Sequence, residues 1–479
     1  MALKQWTYQQ IKEVFFSNFY LSLFFIISTL IVLKFSGRTK SKTKLNQPPS
    51  PPKLPIIGHL HLLGSLPHRS LQKLSHKYGD MMFLQLGQMQ TPTLVVSSSD
   101  VAMEIMKNHD INFSNRPQFT ASKVLLYGCN DVGFDVYGEN WRNKRKILVL
   151  KLLSSKRVQS FSHIREEEVE EWIKKVREVS LSDACSVNLS DIFMSISNNI
   201  VCKCTLGRKF SASDDGDNKV KELARKVIEE HKKLEREGEK NYSSKKDFVD
   251  ILLQLQAHNK LDFELTNNDL KPLLMDMFVG GTDTTETLLE WTFVELMKNP
   301  IIMKKSQEEV RKVVGKKSKV EENDIEQMLY LKCVIKESLR LHPPTPLIPP
   351  RETISSLKLN GYDIPAKTMV YINAWAIQND PKLWKSPEEF IPERFENSDV
   401  DFKGHHFQFI PFGFGRRGCP GMIFGITAVE YVLASFLYWF DWKLPETYKS
   451  PDDIDMGEIF GLVTSKKEPL HLKPIHFYP

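Results

Sequence analysis

A mainly α fold with small β-sheets is the architecture this sequence predicts, and three observations carry it. Long amphipathic segments fill most of the chain, and strand patterning is confined to two short patches. After the first fifty residues no Ser/Gly-rich linker or repeat interrupts the 479-residue chain. One large domain, 48–479, is therefore expected behind a distinct N-terminal segment, 1–47.

The run 15–33 is mainly apolar and uncharged. As a helix it is about 28 Å long, close to the ~30 Å hydrocarbon core of a bilayer. Lys34, Arg38, Lys40, Lys42 and Lys44 follow as a stop-transfer cluster, and no small-x-small cleavage site does. A single membrane-spanning helix is expected over the competing reading, a cleaved signal peptide. The positive-inside rule keeps the basic cluster, and all that follows it, cytosolic. Pro48, Pro49, Pro51, Pro52 and Pro55 then exclude helix and favour a semi-rigid extended backbone. Segment 48–58 is thus a hinge between anchor and body rather than a ligand for a proline-recognising domain.

In the body, Phe83, Leu84 and Leu86 followed by Thr93, Leu94, Val95 and Val96 predict two short strands around a turn. A second strand-rich patch, 357–371, contains Gly361 and Pro365. Helices are expected over 101–107, 141–153, 164–179, 269–298, 300–314, 326–341 and 421–440. The charge of +6, from 65 basic and 59 acidic side chains, is too diffuse to argue for nucleic acid. Six cysteines (129, 185, 202, 204, 333 and 419) are too few and scattered for a disulfide framework, and Cys202 and Cys204 lack the spacing of a zinc knuckle. A reducing compartment follows.

Chemistry concentrates near the C-terminus, where Pro411-Phe412-Gly413-Phe414-Gly415-Arg416-Arg417-Gly418-Cys419-Pro420-Gly421 runs into an apolar stretch. Three of its glycines, Gly415, Gly418 and Gly421, bracket the cysteine and let the backbone turn tightly and approach a flat object. Amide N–H groups at the start of the following helix can hold the Cys419 sulfur as a thiolate, a metal ligand. A buried free cysteine, the bland reading, would need none of those glycines.

Three further patterns accompany it. Gly280-Gly281-Thr282-Asp283-Thr284 lies mid-helix, where each glycine costs about 1 kcal/mol against alanine. Such glycines either open a groove or serve as a helix-packing notch. Glu337 and Arg340 share one helix face at i and i+3, by themselves an ordinary surface ion pair. Trp141 and Arg145 share another at i and i+4, while Arg351 and Arg417 are singly no more than exposed arginines.

Together these residues resemble the cytochrome P-450 superfamily, from the anchor to Pro479, and within it most closely the plant A-type microsomal enzymes of specialised metabolism. The resemblance implies that fold, with heme held by Cys419 as axial ligand. It implies an oxygen groove at Gly280 and Gly281, with Thr284 hydrogen-bonding the oxygen bound there and Asp283 helping to relay protons. Trp141, Arg145, Arg351 and Arg417 would meet the heme propionates. Glu337, Arg340 and Arg394 would form a buried structural cluster. Phe278, Thr282, Thr345, Leu347, Phe460 and Leu462 would line a pocket for a lipophilic terpenoid, phenylpropanoid or coumarin.

A monooxygenase of this kind inserts one atom of dioxygen into its substrate. No phosphate-cradling glycine motif supplies a flavin or NADPH site, so its electrons would come from a separate NADPH–cytochrome P-450 reductase, with cytochrome b5 as a further partner, at the endoplasmic reticulum membrane. One departure stands out. Between Phe210 and Asp247 relatives carry two long helices roofing the pocket, whereas this chain offers one charged stretch, 218–237. Two alternatives stay open: a heme-binding but catalytically impaired truncated isoform, and a heme-thiolate isomerase or dehydratase.

Overall fold

The computed structural model describes residues 19–31, 45–87, 91–182, 186–209, 225–233, 246–257 and 262–479. Residues 1–47 with 361–363 form one unit, and 48–360 with 364–479 the other. In the smaller unit Phe19–Ile31 is an apolar helix, about 20 Å long by its rise, whose large side chains such as Phe24 and Phe25 are exposed. The rest of the expected span 15–33 lies outside the described residues. Also in this unit, the Asn46 backbone N–H donates to Asp363 Oδ2 at 2.9 Å and its amide to the Gly361 carbonyl at 3.0 Å.

The larger unit is mainly helical. Strands β1 (Met81–Leu86), β2 (Thr91–Val96), β3 (Leu347–Glu352) and β4 (Met369–Asn373) make a four-stranded sheet in the order β1-β2-β4-β3. The β1–β2 hairpin is antiparallel with Met81 opposite Val96, as the alternation predicts, and β2 runs parallel to β4. Among the helices that build the site are α1 (Glu139–Ile147), α2 (Leu189–Leu206), α3 (Asn267–Gly281), α4 (Asp283–Lys298), α5 (Leu329–Leu341) and α6 (Met422–Trp439). The core lies between them, with Phe193, Phe293 and Phe436 meeting at ring separations of 5.3 and 5.4 Å. Helix α6 is long and apolar enough to cross a membrane, yet 67% of it is buried in this core.

Several expectations are revised. The continuous helix 269–298 breaks at Thr282, and 141–153 is helical only to Ile147 before a wider π turn over Leu148–Leu152. Helix 326–341 begins at Leu329 because residues before it form the separate turn Glu322–Ile325. Several helices went unread, two of them longer than ten residues. Pro67–Tyr78 starts on the N1 proline and stops at Gly79, at φ +98°. Helix α2 is capped by the Asn188 side chain and ended by left-handed Gly207, but its apolar residues surround it and blur the period. Of the stretch 218–237 only the helix at 225–233 is described; its Val227 and Ile228 are buried, and His231 Nε2 lies 2.9 Å from Asp247 Oδ2.

Candidate active site

The loop before α6 is fixed by its own backbone: the Cys419 N–H donates to the Phe412 carbonyl at 2.8 Å and the Gly418 N–H to the Gly415 carbonyl at 3.0 Å. Gly415 sits at φ +63°, and a Cβ there would lie 2.4 Å from Asp110 Oδ1, so both conformation and space require glycine. The turn aims the Cys419 sulfur into an apolar cavity. The accessible surface of Cys419 is cavity surface, since protein encloses the sulfur on its other sides. Burial pushes the thiol up, against the Gly421 and Met422 N–H groups and the Arg145 charge, which pull it down. A cation at the sulfur is what would tip that balance to thiolate.

Around the sulfur the cavity wall is crowded with guanidinium. Arg116, Arg145 and Arg417 border it, and Arg351 is buried just behind. The Arg417 side chain donates to the carbonyls of Ser114 (2.7 Å), Val132 (3.2 Å) and Asp135 (2.5 Å). Arg145 donates to the Gly418 carbonyl at 2.7 Å and Arg351 to that of Phe414 at 2.6 Å, tying both to the cysteine loop. Burial, followed by the Arg351 charge, holds Arg417 down to about 9; burial, only partly offset by Asp110, holds Arg351 at about 10. Arg116 is lowered by burial, then by Arg417 and Arg351. Arg351 Nε has no partner among the described residues. So much enclosed positive charge, beside a cysteine on an apolar cavity, fits a flat apolar group carrying two carboxylates, which is heme.

Two of the expected propionate groups are placed differently. Trp141 does not border the cavity: its indole N–H donates to the Val132 carbonyl at 2.9 Å, and its ring packs 4.1 Å from the Arg417 guanidinium and 5.6 Å from that of Arg145. It positions the arginines. Arg351 also stands behind the wall, 3.5 Å from Asp110. Sequence reading missed Arg116 and Asp110, since a lone charge in a loop carries no spacing signal. Asp110 also pairs with Arg416 at 2.6 Å and so holds the loop from below.

Across the cavity from Cys419 stands the junction of α3 and α4. The Thr284 hydroxyl donates to the Gly280 carbonyl at 2.7 Å and that of Thr285 to Gly281 at 2.9 Å. These carbonyls are thereby served by side chains, which accounts for the break at Thr282. The paired glycines differ in their work. A Cβ on Gly281 would come within 2.9 Å of Val201 Cγ2 on α2, whereas one on Gly280 would meet nothing within 4 Å. Gly281 permits helix packing and Gly280 keeps the groove open. Both border the cavity, as does Thr284; Asp283 does not, and partial burial of its carboxyl raises it. Behind the groove, burial and then Glu290 push the Glu286 carboxyl up to about 8.

Of the expected substrate contacts, Thr345 and Leu462 border the cavity. Phe278 and Thr282 do not, because Met277, Gly280, Gly281, Thr284 and Leu288 form the cavity-facing side of the helices and those two residues fall off it. Leu347 packs instead beneath the sheet with Leu71 and Leu84, and Phe460 stacks on His68 at 6.1 Å. Leu126 and Phe134, in the loop before Trp141, and Val279 also border the cavity.

In the Glu337 cluster, Glu337 and Arg340 are fully buried and Arg394 is nearly so. Arg340 meets both Glu337 oxygens at 2.7 and 2.8 Å, and Arg394 Nε meets Oε1 at 2.9 Å. The remaining Arg340 donors serve the carbonyls of Gln378, Pro387 and Glu389, so α5 is bolted to the strand-free segment 378–394.

A family model described as Cytochrome P450 matches residues 48–223 and 215–473. The chain is 48% identical to phenylacetaldehyde oxime monooxygenase of Prunus mume, over 96% of this chain and 94% of that one. It is 43% identical to desmethylyatein synthase of Sinopodophyllum hexandrum (95% and 98% covered) and 43% identical to costunolide synthase of Cichorium intybus (94% and 97%). A solved zebrafish cytochrome P450 with abiraterone superposes with TM-score 0.74 at 25% identity, covering 87% of this chain and 100% of that one. With its cysteine loop and groove facing one cavity, the chain belongs to the cytochrome P450 family, on its plant A-type branch. It is a heme-thiolate monooxygenase, an oxidoreductase.

The alignment with the Prunus enzyme spans 502 positions, more than this chain's 479 residues, so that relative carries stretches without a counterpart here. The family match itself divides at 215–223, inside the segment read as short.

Proposed function

We propose that the chain is an endoplasmic reticulum enzyme, held by its N-terminal apolar segment, that oxidises a lipophilic small molecule with electrons from a separate NADPH–cytochrome P450 reductase, cytochrome b5 assisting. The observation that carries the reading is the placement of the Cys419 sulfur and the Gly280–Thr284 groove on one apolar cavity. Heme, when bound, supplies the activation of dioxygen, with the thiolate donating electron density to it. The chain's own residues do the rest. Gly421 and Met422 N–H groups steady the sulfur, Arg116, Arg145 and Arg417 would hold the heme carboxylates, and Thr284 presents a hydroxyl to the groove. The apolar walls exclude water and orient the substrate.

The name of one relative, a phenylacetaldehyde oxime monooxygenase, supports an aromatic substrate. The test is steady-state consumption of oxygen and NADPH in membranes carrying the chain and a plant reductase. Substrate-dependent consumption with an oxygenated product is expected, together with the thiolate-type band of the reduced, CO-bound protein. Cys419→Ala should lose that band. Heme without turnover would favour the impaired isoform, and product without NADPH the isomerase.

A further inference from the structure

The cavity is apolar over most of its wall, yet two carboxyl groups with no role so far, Asp131 and Asp276, border it. Asp276 lies on α3 four residues before Gly280, on the same cavity-facing side, so it stands about 6 Å along the helix axis from the groove. Its Oδ2 accepts the Val132 N–H at 2.7 Å and its Oδ1 the Gly133 N–H at 3.3 Å. Asp131 is fully buried; its Oδ2 accepts the Phe134 N–H at 3.0 Å, while its Oδ1 has no donor among the described residues. Both carboxyls close on Gly133, where a Cβ would lie 3.1 Å from Asp131 Oδ2 and 3.5 Å from Asp276 Oδ1.

Two carboxyls this close in an apolar enclosure do not both ionise. Burial, then the Asp131 charge, holds Asp276 well above the usual carboxylate range. Burial raises the Asp131 carboxyl as well, so the two groups share a proton between them. With that proton and both backbone N–H groups placed, what Asp276 turns to the cavity is spare acceptor capacity. Arg116 and Arg417, on the same cavity, oppose a cation there.

We propose that Asp276, braced by Asp131, is a substrate-recognition residue that accepts a hydrogen bond from a neutral hydroxyl group, an alcohol, phenol or oxime O–H, on an otherwise lipophilic substrate. The inference rests on the monooxygenase reading and names the polar feature of its substrate. Its position sets a ruler: the hydroxyl is held near α3 while the carbon to be oxidised lies toward Gly280 and Thr284. A site built around a hydrogen bond discriminates strongly against a ligand lacking the donor.

The test uses the full-length holoprotein and two probes, phenylacetaldehyde oxime and its O-methyl ether, which keeps the frame and loses the donor. Binding is read by equilibrium dialysis and by the optical shift of the heme, without turnover. The parent should bind the oxime about tenfold or more tighter than the ether. Asp276→Ala should erase that preference while holding ether affinity within about threefold, and Asp276→Asn, which keeps an acceptor, should restore most of it. Equal binding of the two probes by the parent overturns the proposal. So does an Asp276→Ala variant that weakens both alike, the mark of a residue that only braces the Val132–Gly133 segment. The monooxygenase reading stands or falls separately, on the CO-bound band and oxygen consumption.

Discussion

Thr284 is held by one hydrogen bond, to the Gly280 carbonyl at 2.7 Å, and its hydroxyl faces the cavity. Removing it takes away a proton donor and acceptor at the groove but touches neither the cysteine loop nor the arginines. Thr284→Ala is therefore expected to keep its heme content and divert reducing equivalents to hydrogen peroxide, cutting product per NADPH about tenfold or more, in line with general acid–base effects. Unchanged product per NADPH would remove Thr284 from proton delivery. Glu286 allows a pH prediction at the same scale. Its folded-state value of about 8 lies above the ordinary 4.5, so its contribution to stability is fully present below that ordinary value. It is lost as pH rises toward 8, since the unfolded chain ionises first. Relative to Glu286→Gln, the parent should lose stability progressively over that window. A difference in thermal midpoint that does not change with pH would contradict this.

Among the elements, α5 depends on one carboxylate. Glu337 receives two arginines and the Ile391 N–H at 2.9 Å, all in the interior. Removing Glu337 leaves two buried guanidiniums without their anion, which costs about 3–5 kcal/mol. Glu337→Ala should fold poorly or lose heme on mild warming, and Arg340→Lys should rescue little, because an ammonium cannot reproduce the bidentate fork. Denaturant midpoints for both variants check this, and an Arg340→Lys protein as stable as the parent would show that charge alone suffices. The α3–α4 junction makes the complementary point. Its glycines and threonines were readable as a motif, but the break came from two hydroxyls taking carbonyls that the helix would otherwise use.

For the whole molecule, the open question of turnover attaches to the segment between Phe210 and Asp247. The family match divides there, and the Prunus relative is the longer partner in its alignment. A pocket that lacks part of its cover leaves apolar wall open to water and grips its ligand less fully. Replacing 210–247 by the corresponding stretch of a full-length relative is expected to tighten substrate binding and raise coupled turnover about tenfold or more, with heme content unchanged. Tightly coupled oxidation by the unaltered chain would show that its own short segment closes the cavity.

The sequence by itself determined the family, the helical fold, the heme cysteine and the groove, because each rests on residues close in the chain with fixed spacing: Cys419 among its glycines, Gly280 to Thr284, Glu337 with Arg340. Tertiary structure decided what depends on distant segments meeting. Trp141 was read as a propionate donor but spends its N–H on Val132, and Phe278 was read as a pocket residue but falls off the cavity-facing side. Arg116, Asp110 and the Asp131–Asp276 pair carried no local pattern at all. They acquire meaning when loops hundreds of residues apart close on one cavity, where low dielectric turns ordinary charges into strong ones.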